Sequence, residues 1–509
     1  MVKNTMHMRS GRLTIAVLLV ATGTLPLLLN LSHWFREDDY LWLYAWHRAS
    51  LCNITEFLRR GPLFFWRPAQ AWLSCAAWKC VDLAPQGINL LLTLVWAGVL
   101  SLMWKLTARL ESASSPASPI AVGTLITMAA LVYMPYYWFS LAGEALGTLV
   151  VLGALLVWLR RERPPPAVIL GVPLLLGAAV LGKETVGVAL VVFLCSPFLL
   201  QRPRLRPAHF VPWILPLVVL AVAAMMDRLP PVNASVIRDY RPAPPGAWAS
   251  NLLAMLNAML TPLSAGADIW PTPLHRLSLF IRERCPWFGV AVIVGAVALR
   301  HDRPMWWSLL WVVTGLLPFI VSRTLYPRYL HFSALGAAVM LGLAASALYL
   351  RSPPGLRALL AATGIAFLLV GAATFYLVVT RQTARQEYGR DLRRELLRLP
   401  LEGLPSAVVV YGLSPAACNR GLGLQELARL TAGRDDIRLF LENDLALPPV
   451  RRLLARPGAH RFHIHLKRPD GARPPCDDRP FPSRFPDASF NAAGLSATAP
   501  TNAAGHPAP

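Results

Sequence analysis

The sequence predicts an all-α polytopic membrane protein of about eleven transmembrane helices, followed by a small α/β extracytoplasmic domain. Three observations predict it. The 509 residues are 55% hydrophobic and only 15% charged, where a soluble chain carries nearer a quarter charged. Apolar runs of about twenty residues, each long enough to cross a bilayer as a helix, recur as far as residue 380. The short segments between those runs collect arginines.

The first span is residues 13–31. Its basic start, Lys3, Arg9 and Arg12, suits a signal peptide, but the run ends in Leu-Leu-Leu-Asn-Leu-Ser-His-Trp without a small-x-small cleavage site. It is therefore read as a retained helix. Residues 32–86 form a long loop that opens on Glu37, Asp38 and Asp39. Aromatic residues flank this acidic triplet: Trp34, Phe35, Tyr40, Trp42, Tyr44 and Trp46. Interfacial aromatics are expected beside any membrane helix; three carboxylates are not. The semi-apolar stretch 69–83 reads as helix lying on the membrane surface.

Further spans are expected at about 87–108, 119–138, 141–159, 167–182, 186–200, 211–226, 286–299, 305–321, 329–350 and 358–380. Residues 227–284 form a polar loop with a short apolar stretch at 251–263. Residues 381–398 continue the last span as helix. Ala407–Tyr411 reads as a buried strand, 422–430 as a helix, and Ile437–Phe440 and His460–Leu466 as further strands. The expected domains are 1–380 in the membrane, 381–469 as the α/β unit, and 470–509 as a disordered Pro/Ala-rich tail.

The net charge is +22, yet this does not indicate nucleic acid. The basic residues lie in short clusters between apolar runs, which is a topology signal. The seven cysteines show no metal-ligand spacing. Cys418 and Cys476 are expected to pair only in an oxidising compartment. His463 and His465 alternate onto one strand face, a weak metal pattern.

Counting spans from a cytoplasmic N-terminus puts the loops at 105–118, 160–166, 201–210, 300–304 and 351–357 inside. These loops hold most of the basic clusters. The outer face then receives Glu37 to Asp39, Glu144, Lys183, Glu184, Arg323 to Arg328 and the C-terminal domain. The unusual charges share one side, which argues for a site where helix ends meet water at the outer face of a bacterial inner membrane. Each of these residues taken alone also fits a snorkelling or solvated side chain.

In order, the residues Asp38-Asp39, Trp66-Arg67-Pro68, Gln86-Gly-Ile-Asn-Leu-Leu-Leu92, Gly182-Lys-Glu-Thr185 and Arg328-Tyr-Leu-His331 resemble elements of the GT-C superfamily of membrane glycosyltransferases. The nearest branches are the protein O-mannosyltransferases and the lipid A aminoarabinose transferases. The resemblance covers about residues 10–350. A His-Pro-x-x-Glu element before the fourth span is missing, and Glu144 stands without the Gly-Arg that precedes the acid in many members. The resemblance implies Asp38 and Asp39 as catalytic residues. It implies Arg67, Glu144, Lys183, Glu184, Arg328 and Tyr329 as binding residues for the donor phosphate and substrate.

The chain has no glycine-rich nucleotide loop, and a nucleotide sugar is not available outside the cell. The expected donor is a polyprenyl-phosphate-linked sugar; the acceptor is a protein, a lipid or an envelope glycan. Lys183 and Arg328 would neutralise the leaving phosphate. Asp38 or Asp39 would take the acceptor proton, or the same pair would hold a divalent metal cation. A transporter or flippase for a lipid-linked or anionic substrate is the alternative. Such proteins place charges near the bilayer midplane, often in broken helices.

Overall fold

The computed structural model describes residues 2–35, 37–58, 66–81, 84–111, 115–201, 204–228, 242–261, 280–281, 284–321, 330–400, 406–411, 424–441 and 460–465. The chain is an all-α bundle that carries one small parallel sheet at its C-terminal end.

Helix α1 is Val2–Leu28. Three helices occupy the long segment after it: α2, Glu37–Trp46, and α3, Ile54–Leu58, where a loop was expected, and α4, Pro68–Val81, where the stretch 69–83 was expected to be helical. The acidic triplet is thus the first turn of α2. Acidic residues in a first turn suit the positive end of a helix's peptide dipole, which favours helix over loop.

The spans follow. Helix α5 is Gln86–Leu110 and α6 is Ala117–Val132. The expected span to residue 138 stops early, because Pro135 sits in the first turn of a separate short helix, α7, Met134–Tyr137. A proline there removes an N–H and crowds the preceding turn, so the chain breaks before it. Helix α8 is Ala142–Trp158, entered through a 3-10 turn at Phe139–Leu141. Helix α9 is Pro166–Gly182, with proline at its start where the missing N–H costs nothing. A 3-10 turn, Glu184–Val188, leads into α10, Ala189–Leu199. Helix α11 is Ile214–Arg228. Within the expected polar loop lies α12, Trp248–Leu260. Helices α13, Phe288–Leu299, α14, Arg303–Ile320, and α15, His331–Arg351, complete the bundle before α16, Pro354–Arg398.

Five helical segments among the described residues are long and apolar enough to cross a membrane, and five shorter apolar helices accompany them. The segments of α8 and α15 are the most buried of the five, while those of α11 and α16 expose most of their leucines and valines. The core therefore sits around α8 and α15, and the rim faces lipid.

At 45 residues, α16 is roughly 67 Å long, more than twice what a bilayer core requires. Its second half leaves the membrane and carries the sheet. The expected continuation of the last span through 381–398 is one unbroken helix. Strands β1, Ser406–Tyr411, β2, Arg438–Leu441, and β3, His460–His465, pair in parallel with β1 in the centre. Val408 pairs with Leu439 on one side and Phe462 on the other. Helix α17, Leu424–Ala432, packs between this unit, α16 and α2. Cys418, Cys476, the tail from 470 and the side chains of His460, His463 and His465 lie outside the described residues.

Candidate active site

The geometry starts at the turn after α1. Asn89, in the first turn of α5, donates from Nδ2 to the carbonyls of Leu31 (2.8 Å) and His33 (2.9 Å). The His33 ring stacks on Tyr137 at 3.9 Å, with Nε2 3.0 Å from the Tyr137 carbonyl. These contacts fix the direction in which the chain enters α2. The Phe35 ring meets Tyr40 and Phe139 edge-on, closing the seam between α2 and the 3-10 turn ahead of α8.

Asp39 is buried there at 2% exposure. Its Oδ1 accepts the Ser140 N–H at 2.6 Å, a short charge-assisted bond. Gln70 of α4 holds the same turn from the other side. Its Nε2 donates to the Phe139 carbonyl at 3.1 Å, and its Oε1 accepts the Gly143 N–H at 2.7 Å. Arg67 lies three residues earlier, just ahead of α4, and grips Glu184 with two parallel bonds, Nε to Oε2 at 2.9 Å and Nη2 to Oε1 at 2.7 Å. The next residue back along the chain, Lys183, pairs with Glu144 in the first turn of α8.

The contacts form a closed circuit. Asp39 touches the 139–144 segment, Gln70 clamps that segment, Arg67 joins α4 to Glu184, and Lys183 returns to Glu144. Glycines allow the last link. A Cβ on Gly143 would lie 2.4 Å from the Gly182 carbonyl oxygen, so only glycine admits the contact between α8 and the end of α9. Glu144 and Lys183 are 5% and 7% exposed, and the Arg67–Glu184 pair opens further toward water. A buried pair of this kind is costly to break, because the remaining charge loses its direct partner in a low-dielectric site.

A second layer lies beneath. His331, the first residue of α15, is buried with Nε2 3.2 Å from Tyr136 Oη and 3.1 Å from Thr148 Oγ1. Thr148 Oγ1 also donates to the Glu144 carbonyl at 2.8 Å. The start of α15 thus abuts the same cluster.

Of the residues singled out from sequence, Asp39, Arg67, Glu144, Lys183 and Glu184 come together. Asp38 lies in the first turn of α2 with its side chain outside the described residues, and Arg328 and Tyr329 also fall outside them. One expectation changes. Lys183 and Arg67 do not present bare cations to a phosphate, since each already holds a carboxylate. Burial forces this, because a lone charge at such a position is not tolerated. Sequence reasoning missed Gln70, Ser140 and Tyr136. Gln70 carries a usable signal, its spacing of three from Arg67, which puts both residues at the N-terminal turn of α4.

Among the described residues, no three His, Cys, Asp or Glu side chains gather in a group that could hold a metal ion. The carboxylates of Glu144 and Glu184 are committed to Lys183 and Arg67, and the side chain of Asp38, the other member of the expected metal pair, lies outside the described residues.

No protein-family model matches the chain, and neither does any curated protein. Among solved structures, it is similar to the crystal structure of ArnT from Cupriavidus metallidurans bound to undecaprenyl phosphate, with 14% sequence identity and a TM-score of 0.47, over 87% of this chain and 89% of that one.

Proposed function

We propose that this protein is a membrane glycosyltransferase of the GT-C kind, which moves a sugar from a polyprenyl-phosphate donor to an acceptor hydroxyl on a protein, lipid or envelope glycan at the outer face of the inner membrane. One observation carries the reading. A buried carboxylate, Asp39, stands beside two cation–carboxylate pairs at one end of the helix bundle, and four separate chain segments converge to hold it there.

The reaction that suits this arrangement is a single displacement. The acceptor oxygen forms a bond to the anomeric carbon as the bond to the donor phosphate breaks, and the centre inverts. The acceptor proton passes to a carboxylate, Asp39 or its neighbour Asp38. The departing polyprenyl phosphate carries the negative charge, and Lys183, Arg67 and Arg328 are the cations proposed to receive it, with Tyr329 proposed as a further substrate contact. Lys183 and Arg67 release Glu144 or Glu184 in doing so. The resting pairs keep the cations in place in a site that would otherwise not tolerate them. No step is routed through a metal.

A transporter or flippase fits less well. Within the apolar spans of the described residues, charges sit near helix ends rather than in the central turns, whereas carriers place theirs near the midplane.

Transfer from radiolabelled polyprenyl-phosphate sugars decides the question, measured in membranes with matched protein levels. Asp39→Asn keeps the shape and an oxygen for the Ser140 N–H but loses basicity. It is expected to cost on the order of 10²–10⁴ in rate if Asp39 is the base, and Asp38→Asn the same if that role is Asp38's. Glu37→Gln is expected to cost little. Near wild-type transfer by both aspartate variants overturns the reading. Chelator inactivation, with rescue of the asparagine variants by excess divalent cation, assigns the pair to a metal instead.

A further inference from the structure

Asp39 is followed at once by Tyr40; Tyr44 follows one turn later on the same face of α2, and Arg48 lies in the turn just after the helix. Asp39 meets the membrane bundle through Ser140. Tyr40, Tyr44 and Arg48 meet different ground. Tyr40 is fully buried, and a Cβ placed on Gly389 of α16 would lie 2.4 Å from its hydroxyl oxygen and 3.0 Å from Trp34 Cδ1. One turn along α16, the Arg393 guanidinium covers the Trp34 ring at 5.8 Å. Tyr44 Oη donates to Asp435 Oδ1 at 2.8 Å, just ahead of β2, and the Arg429 guanidinium of α17 covers the Tyr44 ring at 5.5 Å. Arg48 pairs with the same Asp435 at 2.9 Å.

The contacts come from three parts of the C-terminal region: the far half of α16, helix α17 and the turn before β2. They cover one side of a ten-residue helix and the turn that follows it, while the neighbouring face carries Asp39. A short isolated helix does not hold its own position in water. The height and rotation of α2 are therefore set from both faces, and the face away from the bundle belongs to the C-terminal unit.

We infer that the C-terminal α/β unit is a working part of the site, in which Gly389, Tyr40, Tyr44 and Asp435 are positioning residues that aim Asp39 by clamping α2 from outside the membrane. The inference rests on the reaction proposed above for its kinetic consequence, and on geometry alone for the clamp. None of the four touches the reacting atoms. Their effect falls on turnover rather than donor binding, because it is the carboxylate's placement that they set, and small misplacements of a catalytic group are expensive.

The test is a contact swap in the full-length protein. Gly389→Ala improves intrinsic helix propensity, so any loss comes from the methyl group meeting Tyr40, its tightest contact, and Trp34. Tyr40→Phe removes the atom at that tightest contact. Gly389→Ala is expected to lower kcat by roughly tenfold or more, leave the donor KM within about twofold, and raise amide exchange in 37–46 without raising it in α8 or α15. Adding Tyr40→Phe to Gly389→Ala is expected to recover most of the turnover relative to Tyr40→Phe alone. Wild-type kcat in Gly389→Ala, a change confined to KM, or no recovery in the pair overturns the inference. Should Gly389→Ala fail to insert, Tyr44→Phe decides, with an expected fall in kcat of up to about fivefold and none if the clamp is idle. Should the wild type transfer no sugar at all, the proposed reaction falls and the exchange pattern alone decides the clamp.

Discussion

The two ends of the helix bundle use the same residue types in opposite ways. At the end opposite the site, arginines satisfy carbonyls where helices stop. Arg109 Nε donates to the Leu159 carbonyl at 3.3 Å, Arg351 to that of Leu299 at 2.9 Å, and Arg357 to those of Ser352 and Leu350 at 2.7 and 2.9 Å. These are helix-end contacts of the ordinary kind. Arg300 is the most elaborate of the set, bridging Glu111 and Asp302. At the site end, cations meet carboxylates far away in sequence, 117 positions apart for Arg67 and Glu184 and 39 for Lys183 and Glu144. Apart from Arg300, which also reaches the carboxylate of Glu111, what separates a topology signal from a built site is therefore the chemistry of the partner, a helix-end carbonyl in one case and a buried carboxylate in the other.

The largest expected effect breaks that contrast at its strongest point. Lys183→Ala leaves Glu144 buried without its partner, and the expected cost is about 3–5 kcal/mol of stability, read as a lowered melting temperature in detergent. The joint replacement Lys183→Met with Glu144→Gln removes both charges and is expected to recover most of that stability while transfer stays lost. A Lys183→Ala protein as stable as wild type would put this pair in the same class as the surface arginines.

A smaller effect is expected from the opposite end. Arg300→Ala removes charge-assisted bonds from a half-buried guanidinium, with an expected cost of about 1–3 kcal/mol. Transfer per folded molecule is expected to stay at the wild-type level, because no element of the site runs through Glu111 or Asp302. A selective loss of turnover would show that the two ends are coupled, and the comparison would no longer hold.

Much of this was legible in the amino-acid sequence. Apolar run length located the apolar helices of the bundle, five of them long enough among the described residues to cross a membrane, since a bilayer imposes length and composition together. Counting their alternation placed Asp39, Glu144, Lys183 and Glu184 on one side, and the structure brings these four and Arg67 into one circuit. The pairing was not legible, because nothing in the residues states that Lys183 faces Glu144 rather than a ligand. That contact exists because Gly143 and Gly182 let two backbones touch, a tertiary fact. Helix α2 was missed because ten residues rich in tryptophan and tyrosine have weak intrinsic helix preference; the fold on both its faces makes it helical. The strands of the C-terminal unit were visible, the first as an apolar run and the third, His460–His465, by its alternation. Their parallel pairing was not, because register depends on partners distant in sequence.

The smallest expected effect concerns the outer clamp and follows from its charges. The Tyr44 hydroxyl bond, with the nearby Arg48 charge, holds the Asp435 carboxyl below its ordinary range. Burial first, and then Asp435, pushes the Tyr44 phenol above its own. The two signs differ. A carboxyl with a depressed folded value contributes docking strength that is fully present above the ordinary carboxylate range and is lost as pH falls through the depressed value. A phenol with a raised folded value contributes strength that is present below the ordinary tyrosine range and is lost as pH rises through the raised value. The contact between α2 and the C-terminal unit is therefore expected to hold steadily from about pH 5 to pH 9 and to loosen on either side. Amide exchange in 37–46, corrected for the intrinsic rate at each pH, reads the loosening. Asp435→Asn is expected to abolish the acid limb and Tyr44→Phe the alkaline one. Because Asp435 is exposed to water, which screens its interactions, the shift is modest beside the loss of the buried lysine. An acid limb that persists unchanged in Asp435→Asn would mean that the clamp is held by packing on Tyr40 and Trp34 alone, and that its polar rim is ornament to a contact made by Gly389.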